Sequence, residues 1–492
     1  MKPNPFASSK QFNSIATLSR ELPFWNANDR PGILSDADPV RNDSGLVPVQ
    51  CPLRTEDRRN TIGTPAQEPR RGSKGNRPFY LHMVATHLIV FNSFGLIQSS
   101  VTLSAPYTTH LHKPPSAISW VGSTSIFLTY TLAPLSTHLQ RYTSHEHLLL
   151  FGAACQTTGL AIAGWSRTPS VTLLFQGVLV GMGHGVTFGP GVARLAKELG
   201  ASRWKMTALS VAGCGAATGG MAFAALARWA MHHVGLGCTL CVLGGVVGAN
   251  AVVVQVLLRW RPSEREAVID TPSRQRGQCG KKIWLTMRVL KEWSFALRIV
   301  AVFFVFAGLW IPYFYICTFA VDALHLEPPQ SFAVFMILNA AGTCGRIVPA
   351  LLSDTVLGTV NTYIVVLLLT STTLLCWPLV SASASMFVWA GAYGFCAGGA
   401  VSLVQAGAIS LCGGEEEAES ILGVVFGVAG VASLVGAPVG GELIKAGEKL
   451  FGGSGKSYLL LQMCTAGLML LGCAASIVAR VTKTGWKVLV KI

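Results

Sequence analysis

The chain has 492 residues, of which 51% are hydrophobic and 12% charged, and a formal net charge of +15. An average soluble domain is about one quarter charged, so composition excludes an ordinary soluble domain and the nucleic-acid partner that so basic a chain would otherwise suggest. In so apolar a chain the excess Lys and Arg belong beside membrane spans, where they set topology and touch anionic lipid headgroups.

Residues 1–78 are polar, rich in Pro, Asn, Asp and Arg, and hold no hydrophobic run. They predict a disordered tail without a signal peptide. Twelve apolar stretches follow, at 79–101, 117–137, 147–165, 171–194, 207–230, 238–258, 295–321, 331–351, 360–380, 386–409, 420–443 and 458–478. Each suits the roughly 20 apolar residues that a helix needs to cross a hydrocarbon core. A basic segment, 259–293, divides them into two sets of six. The expected fold is therefore an all-α membrane protein with 12 transmembrane helices in two six-helix bundles, 79–258 and 294–480, followed by a tail at 481–492. The 6+6 layout points to a secondary transporter. Arg194, Lys197, Arg203 and Lys205 flank one short loop, whereas the opposite side carries only Lys113, Arg167, Lys445, Lys449 and Lys456. The positive-inside rule then puts both termini, and the 259–293 linker, in the cytosol. The plasma membrane is the default location, with an internal membrane as the alternative.

No catalytic or cofactor-binding pattern emerges. Gly452 to Ser457 resembles a phosphate loop, but Leu450 stands where its first Gly is required and no strand precedes it. Cys238 and Cys241 form one C-x-x-C without a second ligand pair. Glu415, Glu416, Glu417 and Glu419 read as a solvated loop rather than a metal site. Neither an enzyme nor a bound metal is expected.

Other features fit transport. Glycines recur every four residues at 177, 181 and 185, at 215 and 219, at 423 and 427, and at 436 and 440. This spacing puts small residues on one helix face and lets helices approach closely. Polar residues inside the spans are few: Asn92, Gln98, Gln156, Gln176, His184, Asn250, Gln255, Asn339, Arg346 and Gln405. Such groups face a bundle interior or a cavity, either as interhelical hydrogen bonds or as substrate contacts. His184 is the candidate for proton coupling, because imidazole titrates near neutral pH. Trp310, Tyr313, Phe314 and Tyr315 surround Pro312, whose missing N–H predicts a helix break; broken helices mark binding regions in transporters, and an interfacial aromatic belt is the alternative reading.

These residues resemble the major facilitator superfamily and, more narrowly, its monocarboxylate-porter-like branch common in fungi. The resemblance spans about residues 79–480. It rests on Ser93–Leu96, Ser116–Gly122, Gln176–Gly183, Asn339 to Arg346, Asp354, Gly358, Asn361 and Gly436–Gly441. It implies two bundles around a central cavity, rocker-switch alternating access and a monomer. The family's Asp-Arg-Gly loop core is here Gln140-Arg141-Tyr142, whereas the equivalent loop of the second half keeps Asp354 and Gly358. Arg141, Asp354 and Gly358 are the expected gating residues, with the weight on Asp354. Animal lactate carriers of the family have a Lys and an Asp at the positions of Gln98 and Gly342, and share only the Arg346 position. A larger, less charged organic substrate is therefore expected, contacted by Asn92, Gln98, His184, Tyr313, Tyr315, Asn339, Arg346 and Gln405. Export of a secondary metabolite is the leading expectation. Uptake of a monocarboxylate or vitamin, and a non-transporting membrane sensor, are the alternatives.

Overall fold

The computed structural model describes residues 77–485 except 112–113, 141, 167, 201, 260–291, 410–414 and 453–455, and these lie in one compact unit, residues 73–492. All regular structure among the described residues is helical. Helix α1 runs Arg77–Val90, widens into a π-helical stretch at Phe91–Gly95 and continues as Leu96–Leu111. Helices α2 (Pro115–Leu139) and α3 (His145–Trp165) follow. Helix α4 begins at Pro169–Thr172, passes through a π-helical stretch at Leu173–Leu179 and ends as Val180–Leu199. The next two helices run on from Lys205 to Arg259, divided where Gly235 adopts φ 75° and ψ 173°, giving α5 (205–234) and α6 (236–259). Helix α7 comprises Trp293–Leu309 and Ile311–Asp322. Helices α8 (Pro328–Leu352), α9 (Thr359–Leu375), α10 (Ser383–Ile409), α11 (Glu415–Phe451) and α12 (Leu459–Thr484) complete the set.

Ten helical stretches among the described residues are long and apolar enough to cross a bilayer. Two expected spans, 207–230 and 238–258, fall within one of them, Lys205–Arg259. The expected span 117–137 lies in α2, which carries nine Ser and Thr residues and is not among these ten. Such hydroxyls are tolerated in a bilayer because they bond back to the preceding turn: Thr129 Oγ1 donates to the Ser125 carbonyl at 2.7 Å, and Ser136 Oγ to that of Ala133 at 2.9 Å.

Lipid tails are as apolar as leucine, so close packing, rather than escape from water, holds such helices together. Gly95 of α1 and Gly219 of α5 lie back to back, and a Cβ on Gly95 would fall 2.6 Å from the Gly219 Cα. The Gly181 and Gly185 face of α4 lies on α2 at Ser125 and Leu128 in the same way. By contrast, Gly427 has nothing within 4 Å of a built Cβ, so the 423/427 spacing marks no close approach. The two halves meet along α2 and α11 on one side and along α5 and α8 on the other. The chain alternates between two faces: the terminal face, where α1 begins, and the opposite face.

Candidate functional site

The site lies where the halves meet. Phe94 of α1 stacks on Trp310 of α7 with ring centroids 6.3 Å apart and planes 9° from parallel. Tyr130 of α2 contacts Phe306 of α7 and Phe426 of α11 edge-on or tilted, at 5.5 and 5.6 Å. Phe188 of α4 joins Phe94 and Phe426. Rings from both halves thus form one aromatic box.

The helix break expected at Pro312 positions Trp310. Proline has no N–H to continue the ladder, and α7 is interrupted between Leu309 and Ile311. At this break the Leu309 carbonyl accepts from the Tyr393 hydroxyl of α10 at 2.6 Å. Tyr313 packs between Trp310 and Tyr393. Tyr315 points elsewhere: its hydroxyl donates to the Ala437 carbonyl at 2.7 Å, away from the box.

Gln98 and Asn339 come together across the halves. A Cβ built on Gly220 of α5 would lie 2.7 Å from Gln98 Oε1 and 2.9 Å from Asn339 Oδ1. Both oxygens are buried and lack a hydrogen-bond partner, although the Asn339 amide donates to the Phe335 carbonyl at 3.0 Å. Gly220 leaves room beside them that any side chain would fill.

Arg346, two turns beyond Asn339 on α8, is 4% exposed. Its Nε has no hydrogen-bond partner, and no carboxylate among the described residues pairs with it. The field of its guanidinium reaches Tyr130, Tyr313 and Cys214. His184 is 1% exposed with an unpartnered Nδ1 and sits one turn before Phe188, on the same face of α4.

Five buried atoms near this interface, on Gln98, His184, Trp310, Asn339 and Arg346, therefore have no hydrogen-bond partner among the described residues. Buried polar groups are satisfied in the great majority of cases, so these five, of the fifteen such atoms among the described residues, are available to a polar ligand.

Asn92 lies outside this group. It accepts from Asn250 at 3.0 Å and donates to the Val247 carbonyl at 3.3 Å, which ties α1 to α6. Gln156 and Gln255 likewise bond within the first half, to Thr187 and the Glu146 carbonyl. Gln405 belongs to α10, but its side chain is outside the described residues, as is Arg141.

On the terminal face, Asp354 sits in a π-helical stretch, Ser353–Leu357, that ends α8. Its Oδ2 accepts from the Thr207 amide at 2.8 Å and the Thr207 hydroxyl at 2.7 Å, at the start of α5 in the other half. Gly358 follows with φ 74° and ψ 165°, and its carbonyl begins α9. Gln140, at the corresponding place in the first half, has Nε2 2.5 Å from His145 Nδ1 and stays within its own loop.

Sequence reasoning missed Tyr130, Phe188, Gly220 and Thr207. Tyr130 and Phe188 are aromatic residues in otherwise ordinary spans, and no local motif marks Gly220. Thr207 does carry a signal: it stands three residues beyond Trp204, an N-cap whose side chain makes no cap bond.

A box of rings and unpartnered polar groups between two helical halves, below a closed face, defines a polytopic carrier of small molecules. A family model, the Major Facilitator Superfamily, matches residues 84–441. The chain belongs to the major facilitator superfamily, whose members are multi-pass membrane transporters. Among relatives, an MFS-type transporter of Gibberella zeae is 26% identical over 85% of this chain and 91% of its own length. The aspyridones efflux protein of Emericella nidulans is 25% identical, over 78% of this chain and 74% of its own. The agnestins efflux protein of Paecilomyces divaricatus is also 25% identical, over 82% and 88%. Of solved structures, the nucleoside transporter NupG superposes with a TM-score of 0.60 at 14% identity, covering 81% of this chain and 99% of that one. The human organic anion transporter MFSD10 gives 0.56 at 16% identity, covering 83% and 100%.

Proposed function

We propose that the protein exports an organic secondary metabolite by alternating access, with Gln98, Asn339, Tyr313, Trp310 and Arg346 contacting the cargo. The observation that carries this reading is the set of unpartnered buried groups on the helices that also carry an aromatic box shared by both halves. Aromatic rings suit a flat, largely apolar molecule, while the amide oxygens and the guanidinium suit its polar edge. The two relatives named as efflux proteins for metabolites favour export over uptake. Within the superfamily we place the chain in the fungal monocarboxylate-porter-like branch. The Lys and Asp that serve lactate carriers are replaced at Gln98 and Gly342, which argues against a small monocarboxylate.

The distribution of Lys and Arg supports cytosolic termini and a cytosolic 259–293 segment. The terminal face is then the cytosolic one, and Asp354 its gate. A monomer at the plasma membrane is the simplest state, and His184 is the group to test for proton coupling. The experiment is an untargeted comparison of metabolites in cells and medium, with the gene deleted and overexpressed. Export predicts a compound that accumulates inside on deletion and rises outside on overexpression. The reverse pattern would make it an uptake carrier.

A further inference from the structure

A cavity of about 780 Å³ opens on the face opposite the termini, between the start of α2, the start of α4 and the latter part of α11. It is separate from the aromatic box. Its outer wall is mostly apolar, with Trp120, Val121, Leu173, Pro438, Val439 and Leu443. A smaller recess adjoins it and shares Tyr107, Ile118 and Val121 with it. The recess is lined by Ser100, Tyr107, Ser119, Gln176, Tyr315 and Thr318 among others. The volume lies within the range of roughly 300–1,000 Å³ typical of small-molecule sites.

The charge and the hydrogen-bonding capacity of this place can be read off. Glu442 and Lys445 are the charged side chains at the rim, and they neutralise each other at 2.6 Å. Inside, most hydroxyl protons are already used. Ser100 donates to the Ile97 carbonyl at 2.6 Å, Ser119 to that of Ser116 at 2.9 Å and Tyr315 to that of Ala437 at 2.7 Å. Tyr107 donates to Gln176 Oε1. A hydroxyl whose proton is committed still offers lone pairs. The recess therefore presents hydroxyl acceptors beside the Gln176 amide NH2, and a ligand hydroxyl, which both donates and accepts, can use either.

We propose that the protein has a second ligand subsite here, built for an uncharged aromatic molecule bearing hydroxyl donors. It differs from the aromatic box, where Arg346 supplies a buried positive charge. The role we give it, a halt for cargo before release, rests on the export reading; occupancy of the subsite does not.

The test uses the full-length chain in phosphatidylcholine nanodiscs at pH 6 and three photoreactive probes: 4-hydroxybenzophenone, benzophenone and 4-benzoylbenzoate. Cross-linked residues are mapped by mass spectrometry. The phenol is expected to label segments 114–121 and 438–446 about tenfold more than benzophenone does, the difference that one good hydrogen bond supplies. The carboxylate should label them least. Ser119→Phe, which fills the recess, should remove the preference. Val439→Trp, a substitution at a partly exposed rim position, narrows the cavity without entering the core and should lower labelling if the first variant does not fold. Arg346→Met should leave it unchanged. Equal labelling by phenol and benzophenone would overturn the proposal, as would label spread evenly over lipid-facing residues such as Val252 and Leu368. So would loss of label in detergent when phosphatidylcholine is added, which would assign the cavity to lipid. A failed metabolite comparison together with intact phenol labelling would remove the export role and keep the subsite.

Discussion

Asp354 caps the helix that begins at Lys205 by bonding its Thr207, although Asp354 and Thr207 belong to different halves of the molecule. The carboxylate accepts the Thr207 amide at 2.8 Å and its hydroxyl at 2.7 Å, and the Met206 backbone also bonds to it. The first amides of a helix have no partner in the helix itself and carry a partial positive charge. Trp204, the N-cap of this segment, supplies no side-chain cap bond. A residue from the other half thus does what Ser or Asp at the cap does elsewhere, and the bond ties the two halves together on this face.

Asp354→Asn keeps the shape but removes the charge. Charge-assisted hydrogen bonds contribute about 1.5–3 kcal/mol, and losing about 1.4 kcal/mol shifts a two-state equilibrium about tenfold. Cys214 reports on the closed face, since it is 4% exposed and its thiol faces the Thr343 carbonyl across the halves at 3.6 Å. Alkylation of Cys214, mapped by mass spectrometry, should rise about tenfold in Asp354→Asn. Gln140→Ala should leave it unchanged, because Gln140 is engaged with His145 in its own loop. Equal effects of the two variants would refute the asymmetric gate.

Gly358 and Gly245 form a contrasting pair. Gly358 holds φ 74° and ψ 165° at the start of α9, a conformation that strains L-residues by about 1–3 kcal/mol. Gly245 is helical, with nothing within 4 Å of a built Cβ. Ala there gains about 0.5–1 kcal/mol of helix preference. Gly358→Ala should lower the unfolding midpoint of the purified protein, and Gly245→Ala should hold or raise it. A fall in both would show that the loop conformation is not the cause.

Much of the fold was legible because its signals are local. Apolar length marks a span whatever its neighbours do, and Pro312 breaks α7 through its own missing N–H. The site was only partly legible, because an intramembrane amide looks the same in sequence whether or not it has a partner. Asn92 and Gln98 stand on one helix; Asn92 is bound by Asn250, while the Gln98 oxygen is unpartnered beside Gly220. Only the approach of Asn250 on α6 to the one and of Gly220 on α5 to the other separates them. The 423/427 glycine spacing failed for a related reason: the Gly427 face meets no neighbouring helix closely.

Gly220→Ala tests the room beside Gln98 and Asn339. The added methyl would lie under 3 Å from both oxygens, so at least one side chain must turn away. Since Gln98 is flexible, folding should survive with a cost of about 1–3 kcal/mol at most. Efflux of the compound found by the metabolite comparison should fall severalfold, with an unchanged amount of protein in the membrane. Wild-type efflux in this variant would move the cargo contacts away from the Gln98–Asn339 pair.

Arg346 separates function from stability. A buried charge without a partner is unfavourable, and replacing buried ionic groups with apolar residues of similar volume is often neutral or stabilising by about 1–4 kcal/mol. Arg346→Met should therefore raise or hold the unfolding midpoint while abolishing efflux, since a charge retained at a stability cost is retained for the cargo. Arg346→Lys keeps the charge but loses the planar fork that reads oxygen pairs, and should keep the midpoint with partial efflux. The measurement is thermal unfolding of the purified variants alongside efflux from cells. A loss of both stability and efflux in Arg346→Met would make the guanidinium a structural tie to Tyr130 and Tyr313, whose rings lie within its field. The cargo would then be recognised by the aromatic box and the two amides alone.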